Sequence, residues 1–264
     1  MNDLQHLQRV ILLIVKDIDE LCKKNGIEYY LFGGSAIGAV RHHGFIPWDD
    51  DLDIIMDHSN YEKFVTVCRE QLDAKKYYFQ EGMVDWPSLY SKVRLKGTLF
   101  EESESYGNDN NYKGIFVDVF RLENTPDSDI LKKWQYFCGK CFLSYCLLER
   151  GYKNASFKKK LLMYLSFPLK LRFLRSFFEK QMKKYNKWET AYYGCFGARF
   201  KYKNCFYKKV WFSNPIYVPF EDTFLPVPKQ YDELLTHIYG DYMTPPPINE
   251  QVGWHLKGID FGDY

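Results

Sequence analysis

The chain has 264 residues, of which 46% are hydrophobic, so it has room for one large domain or two small ones with a packed core. Its formal net charge is only +2 and its pI is about 8.0, so the composition gives no support for nucleic acid binding, and we expect none.

The seven cysteines are odd in number and follow no framework spacing, which is typical of reduced thiols in a cytosolic protein. Cys138 and Cys141 form a CxxC pair, for which two interpretations stay open: a zinc site, or an apolar helix without metal. The N-terminus does not resemble a signal peptide, and no apolar run approaches the roughly 18 residues that span a bilayer. We therefore predict a cytoplasmic protein.

Helical spacing of apolar residues predicts a first helix from Leu4 to Leu21, with Gly26 as its stop signal. An aromatic and apolar run, Glu28 to Phe32, predicts a strand. The following Gly33-Gly34-Ser35 ends that strand, and Ser35 is expected to cap a helix from Ala36 to about Arg41. Free backbone N–H groups at such a helix start suit a phosphate.

Asp51 and Asp53 open a second predicted strand, Asp51 to Met56, after two further acids. Because strand side chains alternate in direction, Asp51 and Asp53 share one face. Two carboxylates on one face need a positive partner, and Mg²⁺ or Mn²⁺ is the natural occupant. A phosphate cradle followed by metal-binding acids indicates phosphoryl transfer.

A helix capped by Ser59 or Asn60 and running to about Ala74 is predicted next, followed by strands at Tyr77 to Gln80 and Ser91 to Lys96. Thr98 to Glu101 is expected to pair with the latter strand, and 107–114 is a polar loop. Lys92 and Arg94 lie on one strand face, which is interpreted either as solvated or as a contact to an anionic substrate.

Asp118 lies at the centre of an apolar strand, 115–120. A carboxylate inside such a strand is costly unless it has a partner. The bound metal would supply one, whereas a buried, hydrogen-bonded aspartate is the alternative.

From 130 to about 188 the chain is predicted to be helical and basic, with a break at Pro168. Such a segment lies either over the protein core or on an anionic membrane surface, and both interpretations stay open for 155–187. Short strands are expected over 189–227, followed by a helix from about Lys229 to Tyr239.

The string GGSAIGAVRHHGFIPWDDDLDIIM, together with SKVR and the stretch FEDTFLPVPKQYDELLTHIYGDYMTPPP, resembles the LicD family of phosphotransferases, which is similar to fukutin-type enzymes. The resemblance implies an α+β fold with a nucleotidyltransferase (polymerase-β-like) core. It further implies a catalytic core over 1–125, a basic helical insertion over 126–190 and a C-terminal segment, 191–264, that packs back on the core.

The activity implied is metal-dependent transfer of a phospho-alcohol from a CDP-linked donor, CDP-choline above all, to a sugar hydroxyl of a cell-surface glycan such as lipopolysaccharide, teichoic acid or capsule. A lipid-linked acceptor would make peripheral contact with the inner face of the cell membrane useful. Two alternatives stay open: transfer of a nucleotide from a triphosphate to a small molecule, and an inactive adaptor at a glycan or lipid surface. The intact acids argue against the adaptor.

The implied roles of the residues fall into three groups. The catalytic and metal-binding acids are Asp51, Asp53 and Asp118; the donor contacts are Gly33, Gly34, Ser35, Arg41, His42, Lys92 and Arg94; and further candidates are Trp48, Asp49, Asp50 and His255. The sequence NEQVGWH lacks the basic residue that often precedes this histidine in the family, which weakens the case for His255.

Overall fold

The computed structural model describes residues 2–102, 113–152, 156–253 and 256–264. Over these ranges the chain combines helices with a mixed sheet, which confirms the α+β class. The polymerase-β-like topology stays a prediction. The α-helices are α1 (Asp3–Asn25), α2 (Gly33–Ile37), α3 (His58–Gln71), α4 (Asp129–Glu149), α5 (Phe157–Leu165), α6 (Arg172–Met182) and α7 (Tyr231–Tyr239).

The strands are short except for one that runs through the middle of the molecule. They are β1 (Tyr30–Leu31), β2 (Asp53–Asp57), β3 (Tyr77–Gln80), β4 (Ser91–Leu95), β5 (Leu99–Glu102), β6 (Phe116–Thr125), β7 (Tyr192–Gly194), β8 (Phe206–Lys208), β9 (Ile216–Phe220), β10 (Thr223–Val227) and β11 (Leu256–Asp260).

The central sheet has the order β1-β2-β6-β4-β3, with β7 and β8 added beside the second half of β6. β2 and β6 are parallel, and the other neighbours in this sheet are antiparallel. The expectation that Thr98 to Glu101 pairs with β4 is wrong. Both edges of β4 are occupied, by β3 and β6, so β5 pairs with β11 near the C-terminus instead.

The first helix follows the prediction closely. Asn2 and Gln5 form a reciprocal cap at its start, and Gly26 ends it with a left-handed backbone (φ +58°). One face of α1 is buried in the main hydrophobic cluster, where each fully buried aliphatic side chain stabilises the fold by about 1.5–3 kcal/mol. The helix carries no site residue.

The helix at the glycine pair begins earlier than predicted and has no side-chain cap. It starts at Gly33, whose φ is +59°, and continues as a π-helical turn over Gly38–His42. Ser35 does not cap it, because its hydroxyl accepts a hydrogen bond from the backbone N–H of Asp53 at 2.8 Å. This bond fixes the start of β2 against α2.

The starts of β2 and α3 also differ from the prediction. β2 begins at Asp53, so Asp51 lies in the preceding segment. α3 is capped by Asp57, whose carboxylate accepts from the backbone N–H of Asn60 at 2.8 Å, and neither Ser59 nor Asn60 has this role.

The basic segment forms α4, α5 and α6, and a 3₁₀ turn at Phe167–Lys170 separates the last two. Pro168 lies at the start of that turn, which confirms the predicted break. These helices have a hydrophobic cluster of their own. Among the described residues, no helix combines the length and apolar character that a membrane span requires.

Candidate active site

Two of the predicted acids are direct neighbours on the two parallel strands. Asp53 of β2 is paired in register with Asp118 of β6, and paired residues on adjacent strands point to the same face. Asp51 joins them at the lining of a pocket of about 290 Å³. The structure therefore brings together the three acids that the sequence singled out, although their catalytic role stays a prediction.

The acids before β2 form a tight cluster. Carboxylate oxygens of Asp49, Asp50 and Asp51 lie within 4.8 Å of one another, and the side chains of Asp49 and Asp51 share a hydrogen bond. Asp50 is buried and accepts from the backbone N–H of Leu256 at 2.8 Å, so it ties the C-terminal strand to this segment.

This aspartate cluster is the only group of three or more potential metal ligands among residues 2–102, 113–152, 156–253 and 256–264. Cys138 is fully buried in α4 and Cys141 partly so. The structure therefore favours the apolar-helix interpretation of the CxxC pair.

The electrostatics of the acids fit a cation. Burial and the nearby Asp51, Asp118 and Asp49 hold the pKa of Asp53 well above its usual range. Burial, together with Asp51 and Asp50, raises the pKa of Asp49 to about 8. Burial likewise raises the pKa of Asp118 to about 6, even though Lys92 acts to lower it. Carboxylates crowded in this way are stabilised by a divalent cation, which prefers oxygen ligands.

The two glycines are required by the close approach of these acids. A Cβ on Gly33 would lie 3.3 Å from Oδ2 of Asp53, and a Cβ on Gly34 would lie 2.7 Å from Oδ2 of Asp49. The N–H of Ser35 donates to the carbonyl of Phe32 at 3.1 Å and its hydroxyl accepts from Asp53, so both groups are already engaged. The phosphate contacts at Gly33, Gly34 and Ser35 stay a prediction.

Lys92 and Arg94 are buried, which excludes a solvated strand face. The Nζ of Lys92 lies 3.1 Å from Oδ1 of Asp118, 3.1 Å from Oε1 of Glu102 and 3.3 Å from the centre of the Phe116 ring. Arg94 binds the other oxygen of Glu102 at 3.4 Å and donates to Gln80 at 2.7 Å. Neither cation lines the pocket. In the structure they bind Asp118 and Glu102, two acids that do line it, and their contact with the donor stays a prediction.

The rest of the pocket was not foreseen from the sequence. Glu102 lines it as a fourth acid; burial acts to raise its pKa, but Lys92 and Arg94 outweigh this and lower the pKa to about 2. Arg199 supplies the positive charge among the described lining residues. The aromatic part of the lining consists of Tyr90, Phe116, Phe120 and Phe200.

The remaining candidates lie outside this lining. Arg41 donates from Nε to His42 at 2.9 Å and from Nη1 to the carbonyl of Tyr242. The ring of His42 meets that of Trp48 edge-on, with centroids 6.1 Å apart, and Trp48 packs against the main core. Trp48 therefore supports the segment before the acids. His255 lies outside the described residues.

Comparisons with known proteins agree on one family. Residues 26–142 match the family described as "LicD/FKTN/FKRP, nucleotidyltransferase domain". The lipopolysaccharide cholinephosphotransferase LicD of Haemophilus influenzae is 30% identical over 263 residues, which cover 96% of each chain. Uncharacterised proteins of Rickettsia prowazekii and Rickettsia typhi are each 51% identical over 47 residues, which cover 18% of this chain and 18% and 15% of theirs.

Proposed function

The chain belongs to the LicD family and is a phosphotransferase, and on this premise we propose that it transfers phosphocholine from CDP-choline to a sugar hydroxyl of a cell-surface glycan. The observation that carries the proposal is the in-register pair Asp53 and Asp118, with Asp51, at the lining of one pocket. The full-length relative of H. influenzae acts on lipopolysaccharide according to its name, which supports a glycan acceptor.

Asp51 and Asp53 are the residues that would hold Mg²⁺ or Mn²⁺, and Asp49 is close enough to Asp51 to assist. When bound, such an ion would supply positive charge to neutralise the diphosphate of a CDP-linked donor, which would make CMP a better leaving group. Gly33 and Gly34 allow the carboxylates to approach α2 closely, because any side chain at either position would displace them.

The pocket lining suits a choline group. The aromatic rings of Tyr90, Phe120 and Phe200 attract a quaternary ammonium through cation–π contacts. Glu102 adds a carboxylate that Lys92 and Arg94 keep ionised. A neutral polyol such as ribitol would gain nothing from this charge, so we expect choline to be preferred. Arg199, on the same lining, would bind a phosphate of the donor.

The proposed reaction is a displacement at the phosphorus that carries choline. The acceptor hydroxyl oxygen forms a bond to this phosphorus, the bond to the bridging oxygen of the diphosphate breaks, and CMP leaves with that oxygen. Lys92 binds Oδ1 of Asp118, so Oδ2 is the atom assigned to take up the hydroxyl proton. Holding donor and acceptor in this geometry accounts for most of the catalysis.

Thermal shift measurements test the donor and the metal first. We expect CDP-choline to raise the Tm in the presence of Mg²⁺, CDP-ribitol to raise it less, and EDTA to abolish both effects. Stabilisation that is equal for the two donors, or that survives EDTA, would contradict the assigned site.

Product analysis then identifies the transferred group. Incubation with CDP-choline and a glycan acceptor should release CMP and leave phosphocholine on the glycan. Release of pyrophosphate from CTP or ATP would instead identify a nucleotidyltransferase, which uses the same acids.

A further inference from the structure

The exposed apolar side chains of the protein are concentrated in one place. More than half of the exposed large hydrophobic residues in the described part of the chain lie between 130 and 177, which is less than a fifth of its length. Phe157 is 83% exposed, and Leu165 and Phe173 are 66% and 69% exposed. Such a density marks an interaction surface, because a soluble monomer normally scatters these residues.

The α5 helix is apolar on two opposite sides. Met163, on one side, is buried in the hydrophobic cluster that α5 shares with α4 and α6. Phe157, Leu161 and Leu165, spaced four residues apart, form a stripe on the opposite side that faces solvent. Packing within the protein explains the first side only.

Exposed aromatic residues are also present on α4 and α6, the helices that pack with α5. Trp134 and Phe137 of α4 are stacked, with ring centroids 5.7 Å apart and exposures of 40% and 50%. Phe178 of α6 lies 6.3 Å from Phe137 and 5.7 Å from the exposed Phe177. We call the exposed residues of α4, α5, the 3₁₀ turn and α6 the helical face.

Positive charge surrounds the stripe. Residues 156–187 contain ten lysines and arginines and a single acid, Glu179. On α5, Lys158 and Lys160 are exposed, and helical spacing sets them to either side of the stripe. Lysines in this position extend their ammonium groups to an anionic surface while the apolar side chains insert beneath it.

The charge also decides between occupants. A second copy docked symmetrically on the same face would bring two basic segments together, which is repulsive even though Lys170 and Lys183 are paired with Glu149 and Glu179. A bilayer that contains anionic lipid offers both an apolar interior and a negative surface.

We propose that the helical face binds the surface of an anionic lipid bilayer and that the Phe157–Leu161–Leu165 stripe inserts at the boundary between headgroups and acyl chains. Binding itself does not depend on the proposed function. The role of membrane binding does rest on the proposed function, because a glycan carried on a lipid would then be presented to an enzyme already on the membrane.

Vesicle flotation of the full chain tests the proposal. Wild-type protein should float with vesicles of phosphatidylcholine and phosphatidylglycerol, and much less with phosphatidylcholine alone. The Lys158→Glu/Lys160→Glu variant should lose binding by about tenfold or more, because each lysine near the surface contributes about 1 kcal/mol. The Phe157→Ser/Leu161→Ser/Leu165→Ser variant should lose it as well.

The matched control uses the exposed Phe224 and Lys229, which lie outside the helical face. The Phe224→Ser/Lys229→Glu variant should float like the wild type. The proposal is overturned if the control and test variants behave alike, or if anionic and neutral vesicles bind equally. It is also overturned if light scattering shows a dimer that the serine variant converts to monomer.

The two proposals fail separately. CMP release from CDP-choline with a water-soluble acceptor measures transfer without any vesicle, and we expect the serine variant to retain it. Wild-type protein that releases CMP but does not float would contradict the membrane proposal. Wild-type protein that floats but releases no CMP would contradict the function proposed for the pocket lined by Asp51, Asp53 and Asp118, which we call the acid pocket.

Discussion

The acid pocket and the helical face depart from the usual distribution of residues in opposite directions. Around the pocket, the ionisable groups Lys92 and Asp118 are buried and Glu102 is largely so, whereas on the helical face Phe157 and its neighbours are exposed to water. Buried charges and exposed apolar groups are both unfavourable in an isolated protein. Each region thus indicates a binding partner. For the acid pocket we propose a cation with an anionic donor, and for the helical face a membrane.

The two regions also differ in how they should respond to mutation. In the pocket, side chains are held by short contacts between fixed elements, so small changes should have large effects. On the helical face, side chains contact little within the protein, so changes should alter binding and leave folding intact.

The largest effect is expected for Asp53→Asn. The amide keeps the shape of the side chain but removes a charge that we assign to the metal, so CMP release should fall by about a thousandfold. Because the acids repel one another, the variant should be as stable as the wild type or slightly more stable. Donor turnover and urea unfolding measure the two quantities. A stable variant that keeps its turnover would disprove the role of Asp53.

Lys92→Met should have the largest effect on stability. It leaves Asp118 and Glu102 buried without their common cation, and breaking a buried ion pair from one side costs about 3–5 kcal/mol. Urea unfolding measures the free energy of unfolding.

A double-mutant cycle with Glu102→Gln separates the ion pair from simple packing. If the pair dominates, Lys92→Met/Glu102→Gln should be less destabilised than the sum of the single variants. Additive losses would show that the Lys92–Glu102 pair itself contributes nothing to stability.

Gly33→Ala should have an intermediate effect that combines backbone strain with steric displacement. A positive φ costs an L-residue about 1–2 kcal/mol, and the new Cβ would also press on Asp53. Gly97 is a matched control, since its φ is +81° and a Cβ there would meet nothing within 4 Å. Gly97→Ala should therefore lose similar stability but retain CMP release. Equal loss of activity in both variants would contradict the role of the Gly33 contact.

The contrast between regions also explains how much the sequence could predict. The acids of β2 and β6 were recognisable because each lies in an apolar strand, where a charged side chain is unfavourable unless it has a partner. Asp53 and Asp118 are 65 residues apart in the chain and are paired in the structure. The strand pattern marked each acid as unusual, but the resemblance to the nucleotidyltransferase pattern was needed to predict that they lie together. The amphipathic and basic character of 156–187 was equally visible, since it depends only on helical spacing.

The unpredicted parts depend on contacts between distant segments. Glu102 reaches the pocket from β5, whose partner β11 is near the C-terminus. No local sequence pattern predicts the pairing of β5 with β11. Arg199 and Phe200 come from an irregular segment without periodicity. Alternation in SKVRLK left open a solvated face or a contact to an anionic substrate. Lys92 is instead buried, because its counterions Glu102 and Asp118 lie on other strands. The one sequence signal for these ion pairs was the presence of two acids, Glu101 and Glu102, shortly after the cations of β4.

The smallest effect is expected for Leu162→Ala, because this side chain of α5 is 56% exposed. Its free energy of unfolding should change by less than about 0.5 kcal/mol, as for surface positions in general. The adjacent Met163→Ala is the matched control. Met163 is 6% exposed and packs in the hydrophobic cluster of α4, α5 and α6, so its truncation should lower the free energy of unfolding by about 2–5 kcal/mol. Urea unfolding without lipid compares them. If Leu162→Ala proved as destabilising as Met163→Ala, the outer side of α5 would be part of the protein core, and its exposure could not serve as the argument for a membrane surface.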